Sequence, residues 1–209
     1  MPLEETRDRL KILEQRLRGP KPGLVSQLKM VPGHRHEDKT YQEVGDSCHK
    51  AGVLVLLYPW NDRLHIVLTR RTSSVAHHQA QISFPGGHQD SHESVLETAL
   101  REAEEEIGVS PLSVRILGEL TPLYVPPSNY CIYPVVAAAE SRPDFHPSPH
   151  EVAEVLEVPL DHLYDTRNVQ REVWRLRDLD VRVPFYIFRG HKVWGATAMI
   201  MAELLDLIK

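Results

Sequence analysis

Cysteine is nearly absent from this 209-residue chain, which carries only Cys48 and Cys131. They are far apart and show no Cys-x-x-Cys spacing. That argues against a disulfide framework or a thiolate zinc site and makes a reducing cytoplasm the expected setting. No apolar run reaches membrane-spanning length. A net charge of −5 leaves no general basic footprint for nucleic acid or an anionic membrane, so small molecules are the expected partners. The first residues, MPLEETRDRLKILEQRLRG, alternate charges with leucine at helical spacing. They have neither the apolar core of a signal peptide nor the acid-poor character of a transit peptide. Repeats and low-complexity tracts are also missing. What remains is ordinary globular material, 42% apolar and 25% charged, enough for one domain with an appended arm.

The arm comes first. Leu3, Leu10, Leu13 and Leu17 share one face of a helix that stops at Gly19-Pro20, a stripe suited to docking against a second copy as a homodimer or to packing in cis. The Pro-, Gly- and His-rich segment that follows reads as a loop, its His34-x-His36 pair fitting a solvated loop better than a metal site. Residues 1–48 form this extension and residues 49–209 the domain proper. AGVLVLLYP and LHIVLTRR read as a strand hairpin, and QISFPGG as a short strand ending in a glycine turn. Ser91 to Ile107 reads as a helix capped by Ser91 and closed by Gly108. VRILGEL, IYPVVAAA, VAEVLEVPL and the REVWRLRDLDVRVPFYIF hairpin add strands, and GATAMIMAELLDLI closes the chain as a helix. The expected fold class is mixed α/β with a curved sheet.

The unusual segment is FPGGHQDSHESVLETALREAEEEIGV, residues 84–109, with six glutamates. On a helix turning about 100° per residue, Glu105 and Glu106 lie within about 60° of Glu102. Leu96, Leu100, Ala103 and Ile107 form the buried stripe beside them, and Glu104 points elsewhere. Such an acidic edge repels itself unless a cation fills it. Mg²⁺ and Mn²⁺ take carboxylate and carbonyl oxygens and bridge to phosphates. Gly86 and Gly87 let the backbone approach closely enough for a carbonyl to join the ligand set.

Gly87, Glu93, Arg101, Glu102, Ala103, Glu105, Glu106, Gly108 and Val109 stand at the spacing of the Nudix box, and the segment resembles that family's motif. The resemblance implies an α/β/α sandwich and Mg²⁺- or Mn²⁺-dependent hydrolysis of a nucleoside diphosphate linked to another group. It also implies metal ligation by Glu102, Glu105 and Glu106 with the Gly86 carbonyl, and an Arg101–Glu93 salt bridge. Glu102 and Glu106 are candidate bases, as are Glu151 and Glu154 outside the box, with Glu151 favoured by its place just before a strand.

Upstream, LTRRTSSVAHHQAQISFPGG is similar to the motif of the coenzyme A pyrophosphatase branch at Leu68, Thr69, Arg71, His78, Gln81, Phe84 and Pro85. It departs at Ala76, where the branch has arginine, and at Ala80, where it has glycine. VPLDHL and VWGATAMIMAELLDLI extend the likeness. The implied substrate is coenzyme A or its thioesters, split to 3′,5′-ADP and a 4′-phosphopantetheine species. Candidate substrate contacts are Arg70, Arg71, His78 and Gln81, with Lys50 a further cation and Tyr124, Tyr130 and Trp194 as stacking surfaces. The alternatives are an ADP-ribose or NADH-type dinucleotide pyrophosphatase and a nucleotide-sensing module without turnover. A serine triad drawn from Ser73, Ser74, His77 and His78 lacks a nucleophile elbow.

Overall fold

The computed structural model describes residues 3–33, 47–72, 81–176 and 178–208. Helix α1 (Leu3–Leu17) and the short α2 (Leu24–Gln27) precede a hairpin of β1 (His49–Trp60) and β2 (Arg63–Arg71). Asn61 and Asp62 form its two-residue turn, both at positive φ, 46° and 58°, a conformation these side chains tolerate and one that matches hairpin twist. β1 lies centrally, antiparallel to β2 and parallel to β7 (Tyr130–Ala138). β3 (Ile82–Ser83) and β8 (Val152–Pro159) flank β2. β4 (Gly86–His88) pairs with the start of β1, and β5 (Arg115–Glu119) and β6 (Leu123–Val125) both pair with β7. The result is a mixed eight-stranded sheet.

Strand alternation divides the core in two. Leu54, Leu56 and Tyr58 of β1 pack on the face covered by α3 (Val95–Ile107) with Ala99, Ala103 and Ile107. Val55 and Leu57 pack on the opposite face with Leu13 of α1 and the apolar side of α5 (Gly195–Ile208). Helices on both faces of a mixed sheet make the expected α/β/α sandwich. The segment between β8 and α5 adds α4 (Leu160–Tyr164) and a three-stranded antiparallel sheet of β9 (Val169–Leu176), β10 (Leu179–Phe188) and β11 (His191–Trp194).

The N-terminal leucine stripe packs in cis. Leu10, Leu13 and Leu17 are buried, and Arg16 Nη1 donates to the Leu207 carbonyl at 2.7 Å. The segment expected to be a loop contains α2, whose Gln27 Nε2 donates to the fully buried Glu203 at 2.8 Å; Thr121 Oγ1 donates to the same carboxylate at 2.6 Å.

Further expectations change. Cys48 and Cys131, 83 residues apart, are joined in a disulfide with Cα atoms 5.7 Å apart. The β1–β7 pairing sets Lys50 opposite Cys131, a proximity that sequence spacing does not reveal. The glycine pair reads as a turn but is part of β4, since hydrogen bonding to β1 runs through both glycines. The helix begins after Ser94 rather than Ser91, because Ser94 has a glutamate three residues on and Ser91 does not. His34, His36, Ser73, Ser74, Ala76, His77, His78 and Ala80 fall outside the described residues. No described helix is long and apolar enough to cross a membrane.

Leu13 is fully buried, so Leu13→Ala should lower unfolding free energy by about 2–5 kcal/mol in urea titration. A change below about 0.5 kcal/mol would remove α1 from the core.

Candidate active site

The site begins with how closely α3 lies on the sheet. Ser94 caps the helix: its hydroxyl accepts from Glu97 N at 3.2 Å, and Glu97 Oε2 accepts from Ser94 N at 2.7 Å. Gly108, at φ 73° and ψ 20°, closes the other end in the left-handed conformation. Between the caps the helix crosses β1 at Gly52, where a Cβ would stand 2.3 Å from the Val95 carbonyl and 2.9 Å from Ala99 N. A Cβ on Gly87 would meet the Glu102 carboxylate at 2.3 Å. Bare backbone at both places lets α3 sit low and tucks Glu102 against β4.

Arg101 organises the acidic edge. It grips Glu93 through Nε at 3.1 Å and Nη2 at 2.8 Å, and its Nη1 donates to Glu102 at 2.8 Å and to Glu105 at 2.9 Å. Its Nη2 also reaches the His88 carbonyl at 3.3 Å, tying α3 to β4. Arg101 chiefly, with the Asp90 amide and Thr98 hydroxyl, holds the Glu93 carboxyl down at about 2, and Glu93 chiefly, with Glu102, raises the guanidinium in turn. Thr98 carries no sequence signal for this role. Its Oγ1, 3.0 Å from Glu93, is placed by burial of its own helix face.

Glu106 is in a different state. It is 2% exposed, and its Oε2 has no hydrogen-bond partner among the described residues. Burial pushes its carboxyl up to about 7; Arg71 and the Gly86 amide oppose the rise, while the charges of Glu102 and Glu151 reinforce it. Arg71 Nη2 stands 3.6 Å from Glu106 Oε1, too far for a hydrogen bond, which explains why desolvation wins. Burial also raises Glu102 despite Arg101, with Glu105 and Glu151 adding repulsion. Glu102, Glu106 and Glu151 therefore share one electrostatic neighbourhood. Glu105 is more than half exposed, its carboxylate paired with Arg101, and Glu104 faces solvent.

The arginines separate by strand alternation. Arg71 points to Glu106, whereas Arg70 pairs with Glu154 at 3.0 Å, where His191 joins at 3.3 Å. Gln81 meets this edge through its carbonyl, which accepts from Arg71 N at 3.1 Å. Of the stacking candidates, Tyr130 packs with His49 and His88 at 5.5 and 6.0 Å, Trp194 with Trp174 at 5.1 Å, and Tyr124 donates to Asn129 at 3.2 Å. A cavity of about 510 Å³ lined by Trp60, His65 and Phe188 lies at the other end of the β1–β2 hairpin, with none of the box residues in its wall.

The NUDIX domain profile matches residues 49–177. The chain belongs to the Nudix family. It is 35% identical over 145 residues to the protein named uncharacterized Nudix hydrolase NudL from Photorhabdus laumondii, covering 69% of this chain and 77% of that one. It is 39% identical over 141 residues to the NudL protein of Pectobacterium atrosepticum, covering 66% and 72%. A solved MutT protein from Methanosarcina mazei superposes with a TM-score of 0.50 at 16% identity, over 78% of this chain and 96% of that one, a likeness of fold. The protein is thus a Nudix hydrolase, acting on a phosphoric anhydride in a nucleoside diphosphate-linked substrate.

Nudix hydrolases generally use divalent metal ions, and the site can be tested for one. Among the described residues no three His, Cys, Asp or Glu side chains are gathered as a ready metal-ligand set, and Arg101 engages Glu102 and Glu105. The donor chemistry nonetheless fits a hard cation. An orphaned, buried carboxylate oxygen on Glu106 stands among mutually repelling carboxylates beside the glycines of β4.

The same orphan sets a pH dependence. The folded protein holds Glu106 above its ordinary range, so its contribution to stability is full below about pH 4.5 and is lost as pH rises through about 7. In EDTA, Glu106→Gln should gain about 2–3 kcal/mol on the native protein between pH 5 and pH 8, read from paired urea titrations. A difference independent of pH would show Glu106 to be solvated.

Proposed function

We propose that this Nudix hydrolase is a Mg²⁺- or Mn²⁺-dependent pyrophosphatase that splits coenzyme A or its thioesters into 3′,5′-ADP and a 4′-phosphopantetheine species. The observation that carries the metal-dependent reading is the unpartnered, buried Glu106 oxygen beside Glu102 and Glu151, with Arg71 facing it. The ligand set proposed is Glu102, Glu105 and Glu106 with the Gly86 carbonyl. A divalent ion held there would neutralise diphosphate charge and orient the attacking water.

The chain's own residues supply the rest. Arg101, anchored on Glu93, ties α3 to β4, the strand that carries Gly86 and Gly87, through the His88 carbonyl and holds the Glu102 carboxylate. Arg71, partly exposed and with its Nη2 3.6 Å from Glu106 Oε1, offers a guanidinium end suited to a phosphate oxygen. Glu151, at the mouth of β8 and close enough to raise Glu102 and Glu106, takes the proton as water attacks phosphorus and the anhydride P–O bond breaks. Arg70 is committed to Glu154 on the other face, which leaves Arg71 as the better phosphate contact.

The coenzyme A reading is supported by the resemblance of residues 68–85 to that branch. The specific feature favouring an ADP-ribose or NADH-type dinucleotide instead is Ala76, where the branch has arginine.

Incubation with Mg²⁺ or Mn²⁺ and coenzyme A, acetyl-coenzyme A, ADP-ribose, NADH and nucleoside triphosphates should release 3′,5′-ADP preferentially from coenzyme A. Glu106→Gln should lower that turnover by about 10³, roughly 4 kcal/mol. Cleavage of ADP-ribose or NADH in preference would overturn the substrate. Arg71→Ala should raise KM more than it lowers kcat, and an unchanged KM would remove Arg71 from the phosphate site.

A further inference from the structure

The disulfide stands where three strands of the site meet. Cys48 lies one residue before β1 and Cys131 is the second residue of β7, and β4 pairs with β1 immediately above them, Ala51 opposite His88. The bond closes a loop that contains the whole box, from Gly86 through Glu106. The residues beside the two cysteines reach β4: the His49 and Tyr130 rings meet at 5.5 Å, and His88 packs against both at 6.0 Å. A backbone bond from Gln89 N to the Lys50 carbonyl, 2.9 Å, secures the same corner. The His88 carbonyl in turn accepts from Arg101, the residue that holds Glu93, Glu102 and Glu105.

We propose that Cys48–Cys131 is a redox-cleavable staple that holds β4, and through the His88 carbonyl Arg101, in register with the carboxylates, so that reduction lowers activity. This rests on the metal-dependent hydrolase reading of the site. Cys131 is fully buried and Cys48 half-buried, so a dithiol reaches Cys48 first. The dithiol's thiolate attacks Cys48 Sγ, the S–S bond breaks, and Cys131 leaves as a thiolate and is protonated. The reductant's second thiol then displaces Cys48 and departs as an intramolecular disulfide. Two electrons pass from the dithiol to the protein, which gains two thiols. In a reducing compartment such a bond is open to exchange, and a stapled site becomes a site responsive to thiol poise.

What reduction changes locally is the attachment of β1 to β7 at their common end. The β1–β7 ladder runs from His49–Tyr130 to Leu57–Ala138, so the fold is retained when the covalent link at its end is cut.

The test uses the full-length protein, oxidised or treated with dithiothreitol and desalted, alongside Cys48→Ala. Three readouts are taken: alkylated thiols by mass, Mn²⁺ affinity by electron paramagnetic resonance, and turnover on the preferred substrate of the panel. Expected are no alkylated thiols before reduction and two after it. Reduction should lower Mn²⁺ affinity and turnover at least threefold with the circular dichroism of the folded protein intact. Cys48→Ala should start at the lower level and ignore dithiothreitol. Alkylation of both cysteines without reduction, reduction with Mn²⁺ affinity and turnover unchanged, or loss coinciding with unfolding would each overturn the proposal. Because Mn²⁺ affinity is read separately, absence of turnover on the whole panel would defeat the substrate reading and still leave the staple decided.

Discussion

The contact on which the site depends is the close approach of α3 to β1 at Gly52. A helix resting on side chains packs several ångströms farther from its sheet than one resting on bare backbone, and here a single methyl would collide with the Val95 carbonyl at 2.3 Å. Because the helix sits low, Glu102 fits under Gly87, Ala99 and Ala103 can seal the interface with small side chains, and Glu106 is carried below the surface. A methyl at Gly52 would force α3 away from β1 and loosen the seat of these carboxylates. Their individual pKa shifts and the orphaned Glu106 oxygen are thus consequences of one backbone contact.

Burial divides the carboxylates by role. Glu93 is fully matched by Arg101, an amide and a hydroxyl, and stays ionised across the working range of pH. Glu106 has a distant arginine and no bond to one oxygen, so its ionised form is costly in the folded chain without a cation. Glu93 and Arg101 form scaffold, while Glu106 stores electrostatic cost that a cation would relieve. The same distinction separates Arg70 from Arg71: one residue of register sends the first to Glu154 and His191 and the second to Glu106.

Much of this was legible in the sequence where local rules govern. Helical angles gathered Glu102, Glu105 and Glu106, a left-handed stop was readable in Gly108, and the apolar run of β1 read as a buried strand. What escaped was long-range. The pairing of β1 with β7 brings Cys48 to Cys131 across 83 residues, and no local pattern encodes a parallel crossover. The role of Gly52 is likewise invisible locally, because its partner, α3, is more than forty residues away. Ser91 and Ser94 compete as caps, and the decision lies with Glu97, whose side chain completes the box only from Ser94. Leu96 and Leu100, assigned to the buried stripe, are only partly buried, since the low seat on Gly52 centres the contact on Ala99 and Ala103.

Arg101 sets the terms on which any cation enters. Its four donor contacts to Glu93, Glu102 and Glu105 satisfy three carboxylates with one guanidinium, leaving the edge net negative while none of those three is wholly unpaired. A metal ion recruiting Glu102 and Glu105 must share or displace the Nη1 bonds, whereas the Nε and Nη2 bonds to Glu93 lie on the other side of the fork and can persist. Guanidinium geometry makes that division of labour available; a lysine, with its charge at one point, could not keep Glu93 while releasing Glu102. The arginine therefore screens the acidic edge and anchors β4 through the His88 carbonyl, so the same side chain reconciles a stable fold with a carboxylate cluster that folding alone would disfavour.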